Sequence, residues 1–144
     1  MHETARIREG FRVSSPKSRI LIADADADIR ASLRLYFEAS GHEVQTVGQV
    51  GDIGRAVRPW QPNAILISDD FGDKDPYRVC RELLDDMLTG HIPVIMLLHL
   101  NERQARLAAL EAGVSDIVIK PFDIEELRLR VEATIRLSTM YVGV

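Results

Sequence analysis

Four carboxylates crowd into seven residues, Asp69, Asp70, Asp73 and Asp75, directly after the apolar run that ends at Ser68 in "LISDDFGDKD" (66–75). A second acidic stretch, "ADADADIR" (23–30), sets Asp24, Asp26 and Asp28 at every other position. Acids gathered at a strand end are the ingredients of a hard-cation or phosphoryl site, because Mg²⁺ takes oxygen ligands. Strand side chains alternate faces, so Ser68 and Asp69 should not share one pocket; only a bulge could re-aim Asp69. Asp26 just ahead of a helical pattern reads as its N-cap, and Asp28 as a first-turn acid that suits the helix dipole. Asp73 and Asp75 read as solvated loop acids or as the cap of the next helix. His42, His91 and His99 stand far apart without metal-ligand spacing, and Cys80 has no His or Asp motif beside it. No nucleophile–base motif or phosphate-binding glycine loop is present, so an enzyme is not expected.

The elements that must position these residues alternate. "RILIA" (19–23), "EVQTV" (43–47), "NAILIS" (63–68), "PVIMLL" (93–98) and "DIVIK" (116–120) read as strands, the near-continuous apolar ones as strands buried on both faces. "DIRASLRLYFEAS" (28–40), "RVCRELLDDML" (78–88), "NERQARLAALEA" (101–112) and "IEELRLRVEATIRL" (124–137) carry apolar residues at three- and four-residue spacing and read as amphipathic helices. Gly41 and Gly113 stand where helix C-caps belong, and Asp123 with Glu126 has the capping-box pattern. Residues 48–58, with Gly48, Gly51 and Gly54, predict a short, loosely held helix, each interior glycine costing about 1 kcal/mol against alanine. This β-α alternation predicts a doubly wound parallel sheet with helices on both faces, and ligand chemistry at the carboxyl ends of the strands. Those ends are Asp24, Ser68, Leu98 and Lys120.

The chain has 144 residues, 46% hydrophobic and 28% charged, the profile of an ordinary soluble globular protein. Its longest apolar run, "IPVIMLLHL" (92–100), falls short of the about 18 residues that span a bilayer, so no membrane association is expected. A single cysteine and no hydrophobic signal region point to the cytoplasm. Residues 1–19 hold five Lys/Arg against two Asp/Glu, and the remainder thirteen against twenty, for a net charge of −4. An acidic body argues against nucleic-acid binding by this domain. The expected division is a flexible basic leader over 1–18, one domain over 19–138, and over 139–144 the start of a linker to an output domain.

"ALEAGVSDIVIKPFDIEEL" (109–127), "RILIADADADIR" (19–30), "QPNAILISDDFGDKD" (61–75) and "IPVIMLL" (92–98) together resemble the receiver domain of bacterial two-component response regulators. The resemblance implies a flavodoxin-like five-stranded parallel sheet of order 2-1-3-4-5. It also implies a domain phosphorylated by a histidine kinase on an aspartate at the end of the third strand. In that family Mg²⁺ is held by this aspartate, an acidic pair after the first strand and a backbone carbonyl. A Thr or Ser after the fourth strand and a Lys after the fifth contact the phosphoryl group, and an aromatic in the fifth strand reports the switch.

Carried onto this chain, the resemblance sets Ser68 at the phosphoacceptor position. The acidic pair becomes Asp24 and Ala25, the Thr/Ser position Leu98 and the aromatic position Ile117; Lys120 remains, followed by Pro121 through an expected cis bond. Gly72 replaces the usual Pro of the acceptor loop. The remnant pocket is thus Asp24, Ala25, Leu98, Ile117, Lys120 and Pro121, with no catalytic residue. Asp24 opposite Lys120 leaves the pocket near neutral without a metal. Mg²⁺ binding is expected to be weak or absent, Asp24 with the Asp70 backbone carbonyl being its one weak possibility, and no other cofactor is expected. A serine hydroxyl without a base or metal is a poor nucleophile. The expected function is therefore a pseudo-receiver that regulates an attached output domain by protein–protein contact or dimerisation. Phosphorylation at Ser68 or Asp69, and sensing of a nucleotide or second messenger, are the alternatives. Partners expected are a second copy through the fourth helix, fifth strand and fifth helix, the output domain, and a sensor kinase or other regulator. The last helix favours the dimer by its second apolar stripe, Leu129, Ala133, Leu137 and Met140, beside the sheet-facing Ile124, Leu127, Val131 and Ile135.

Overall fold

The computed structural model describes residues 17–72 and 74–143, with side chains to 140. Residues 1–16 of the leader expected over 1–18, and Asp73, lie outside the described residues. Five strands and five helices alternate along the chain: β1 Arg19–Ala23, α1 Ala27–Ala39, β2 Glu43–Val47, α2 Ile53–Trp60, β3 Ala64–Ser68, α3 Pro76–Asp85, β4 Val94–Leu98, α4 Arg103–Glu111, β5 Asp116–Ile119 and α5 Ile124–Gly143. A 3₁₀ turn, Val50–Asp52, leads into α2. All strand pairs are parallel, as the β-α alternation predicts, and the order is β2-β1-β3-β4-β5, the order the family resemblance implies.

The strand sequences explain their places. "AILIS" and "VIMLL" are buried at every position and form the centre, covered on both faces. "EVQTV" and "DIVI" keep polar or half-exposed positions and lie at the two edges. One face packs Leu21, Ile65, Ile67, Val94 and Met96 against Ile53 and Val57 of α2, Cys80 and Leu83 of α3 and Ala109 of α4. The other packs Ile20, Ile22, Leu66, Ile95 and Leu97 against Leu33 and Phe37 of α1 and Leu127, Val131 and Ile135 of α5. Each fully buried aliphatic side chain contributes about 1.5–3 kcal/mol relative to exposure.

Three local expectations need correcting. The segment 48–58 is not loosely held: its apolar residues Ile53 and Val57 are fully buried, and burial outweighs the glycine cost. It also divides, because Gly51 falls in the 3₁₀ turn and the helix proper runs to Trp60. The capping box at the head of α5 is half formed. Asp123 accepts from the Glu125 and Glu126 amides, while Glu126 turns to Arg130 at 3.2 Å. The helix predicted over 78–88 starts at Pro76 and stops at Asp85, because Asp75 caps it and Asp86 starts a turn by accepting from the Leu88 amide. Gly41 and Gly113, at φ 98° and 91°, hold left-handed conformations just past α1 and α4. The α5 helix continues past residue 138 to Gly143 and leaves Leu129, Leu137 and Met140 exposed.

Candidate functional site

Parallel register brings the strand ends together. Ala23 pairs with Ile67 and Leu98 with Ile119, so Asp24, Ser68 and Lys120 emerge from β1, β3 and β5 at the carboxyl end of the sheet. Lys120 Nζ donates to Asp24 Oδ2 at 2.7 Å and to Ser68 Oγ at 2.9 Å. The Ser68 hydroxyl is fully buried and also accepts from the Asp70 amide at 3.2 Å. Asp24 Oδ1 accepts from the Asp26 amide at 2.9 Å, so both carboxylate oxygens are occupied by the protein itself. An ion pair this sheltered depends on such further hydrogen bonds to offset the desolvation of its charges.

The loop after β1 is held from behind. Arg30 of α1 donates through Nη1 to the carbonyls of Asp24 and Ala25, at 2.7 and 3.1 Å. Its guanidinium lies over Gly48, where an added Cβ would stand 2.7 Å from Nη1. Arg30 escaped notice in the sequence; the pairing of a long cation with a glycine eighteen positions on has no local signal. Asp26 caps α1 as expected, its Oδ1 accepting from the Asp28 and Ile29 amides.

A cleft of about 400 Å³ opens above the ion pair, lined by Asp24, Ala25, Asp26, Ile29, Asp70, Gly72 and Lys120. Leu98 and Ile117, which the resemblance sets in the pocket, do not line it. Leu98 is fully buried in the core beneath α2, α3 and α4, with Ile117 packed against the same cluster, because each points to that face by strand alternation. Pro121 follows Lys120 through a cis bond. Among the described residues no group of three or more His, Cys, Asp or Glu side chains is placed to hold a metal ion.

Asp69 turns away from the cleft. Its Oδ1 accepts from the His99 amide at 3.0 Å and lies 2.9 Å from His99 Nδ1. This hydrogen bond, with the charges of Asp69 and Asp70, raises the His99 imidazole above its ordinary pKa, against burial and Lys120. Tyr77 is raised first by burial and then by the charge of the same Asp69. The Asp69–His99 pairing spans thirty positions, and only the β3–β4 register reveals it. His42 is buried and reaches Glu132 at 2.9 Å, a tie between β2 and α5. Burial pushes the Cys80 thiol up to about 12, the state of a core residue.

The family model described as the response regulator receiver domain matches residues 20–132. The chain belongs to the response regulator receiver family. This receiver is 35% identical over 119 residues to the DNA-binding dual master transcriptional regulator RpaA of Synechocystis, covering 82% of this chain and 49% of that protein. It is 29% identical to the transcriptional regulatory protein GltR of Pseudomonas aeruginosa, covering 81% of this chain and 48% of that one. The receiver thus spans about half the length of the curated relatives it matches. Among solved structures, the CheY-like receiver domain protein of Methanospirillum hungatei superposes with a TM-score of 0.81 at 20% identity, over 88% of this chain and 99% of that one. A two-component response regulator of Clostridium difficile superposes at 0.77 with 25% identity, over 83% and 97%. Among the described residues no helix of the receiver is long and apolar enough to cross a membrane.

Proposed function

We propose that this receiver regulates without aspartyl phosphorylation, as a contact module that biases an attached output domain. One observation carries the reading: Lys120 Nζ bridges Asp24 Oδ2 and Ser68 Oγ, closing the strand-end site on itself. The donors present do not fit the family's Mg²⁺ site. Ala25 offers a methyl group, Ser68 a hydroxyl already accepting from an ammonium, and Asp24 a carboxylate with both oxygens engaged. Mg²⁺ keeps near-octahedral oxygen coordination and uses one or two carboxylates, so little remains here to pay for stripping its waters. Ser68 beside an ammonium is not activated as a nucleophile. Asp69, the other candidate acceptor, is committed to the amide and ring of His99.

The exposed Leu107 and Leu110 of α4 and Leu129 of α5 support a contact surface for a second copy across α4, β5 and α5, or for a sensor kinase or other regulator. The similarity to DNA-binding regulators supports an output domain in the whole protein that acts on DNA, with this acidic domain itself off the nucleic acid. The reading is tested by incubating the chain with phosphoramidate or acetyl phosphate and Mg²⁺ and measuring intact mass. The expected result is an unmodified protein. A stoichiometric phosphoryl adduct that disappears in Ser68→Ala would sink the reading, and one that survives it but disappears in Asp69→Asn would move the acceptor to Asp69.

A further inference from the structure

The connection between β4 and α4 is tied to the sheet at one point outside the strand-end site. Asp69, its side chain 5% exposed at the end of β3, takes both the amide and the ring Nδ1 of His99, the first residue after β4. The His99 side chain is 44% exposed, so its ring exchanges protons with solvent. The helix that follows packs lightly, with Ala105 partly buried against the core and Arg106 hydrogen-bonding Asn101 ahead of its first turn. Ala109 is its one buried residue, and its N-cap, Glu102, makes no side-chain capping bond. Leu107 and Leu110 on this helix are exposed.

We propose that His99 and Asp69 form a proton-operated clamp on the β4–α4 connection, tight when the imidazole is charged and loosened when it is neutral. The groups facing the ring set the sign. Asp69 and Asp70 at the end of β3 favour the imidazolium, Lys120 at the end of β5 opposes it, and Tyr77 on α3 acts through the Asp69 carboxylate they share. Losing the proton removes the attraction between imidazolium and carboxylate but leaves the ring and the His99 amide on Asp69 Oδ1, so the tie weakens without being abolished. The folded-state value of His99 lies above its ordinary 6.5. The clamp therefore contributes fully below about pH 6.5 and fades as pH rises through the raised value. The bistable element is the 99–103 segment with the first turn of α4, and what it presents is the Leu107/Leu110 face. This clamp acts whether or not Ser68 accepts a phosphoryl group.

Histidine titration by NMR, combined with amide exchange corrected for intrinsic rates between about pH 5.5 and about pH 8.5, tests the clamp in this chain, His99→Gln and Asp69→Asn. His99 is expected to titrate above 6.5. Protection of the amides of 99–103 should fall through the same midpoint, by roughly tenfold per unit of pKa elevation. Asp69→Asn should return His99 to its ordinary range or below it, and both variants should show flat protection profiles. Titration of His99 at or below 6.5 in the unaltered chain, or protection that does not change across its midpoint, overturns the proposal. So does a pH dependence that persists in His99→Gln. The unaltered chain decides the matter if a variant fails to fold.

Discussion

The Lys120 ammonium lies 2.7 Å from Asp24 Oδ2, in a setting where the Asp24 side chain is 1% exposed and that of Lys120 15%. The two residues are 96 positions apart and join the first strand to the last turn of the sheet. The pair also draws in Ser68, so one cation satisfies two buried acceptors from separate strands.

Removing that cation strands Asp24 Oδ2 and leaves Ser68 Oγ only its bond from the Asp70 amide. Lys120→Met is expected to lower the unfolding free energy by about 3 kcal/mol, the lower end of the range for breaking a buried pair. Urea titration at neutral pH measures it. Asp24→Asn combined with Lys120→Met should lose less than the lysine substitution alone, because no charge is then left buried. A loss below about 0.5 kcal/mol in the single variant, the level of an ordinary surface change, would show that the pair is not an anchor.

Restoring the missing acids should restore the cation. Ala25→Asp with Ser68→Asp adds two carboxylates beside Asp24, each worth on the order of 4 kcal/mol at ~4 Å and an effective dielectric of about 20, before desolvation is subtracted. The melting temperature of the double variant should rise in millimolar Mg²⁺ relative to Ca²⁺-free, Mg²⁺-free buffer of equal ionic strength, as binding to the folded state requires. The unaltered chain should show no such rise. A Mg²⁺-dependent stabilisation of the unaltered chain would contradict the reading of its donor set.

Cys80 should be inert while the protein is folded. Its residue is fully buried and burial pushes the thiol up to about 12, so little thiolate exists at neutral pH. Labelling with an aromatic disulfide reagent at about pH 8 should proceed at the rate of opening in native buffer and rapidly in denaturant. Rapid stoichiometric labelling of the native protein would place the thiol outside the core.

How much of this was legible in the chain differs by element. The strands "RILIA", "AILIS" and "VIMLL" declare themselves because a strand buried on both faces needs unbroken apolar sequence. Asp26 declares itself as a helix cap because the chemistry of a cap is local, a side-chain oxygen meeting an amide two or three residues on, while Asp75 reads equally as a solvated acid and only the structure makes it a cap. The α2 segment misleads for the opposite reason: glycine propensity is local, but the burial of Ile53 and Val57 that overrides it is tertiary.

The sequence by itself determined the fold, the strand ends at which a site must gather, and the identities of Asp24, Ser68 and Lys120 at those ends. Periodicity and family resemblance are carried by neighbouring residues, so they survive without coordinates. Strand alternation already turned Asp69 from the pocket; only the tertiary structure decided that its partner is His99, that Leu98 sinks into the core with Ile117 packed against it, and that Arg30 braces the loop of Asp24. The Asp69–His99 pairing joins strands whose approach is set by parallel register, and the placing of the Arg30 guanidinium is set by helix packing, and neither leaves a mark in the spacing of residues along the chain.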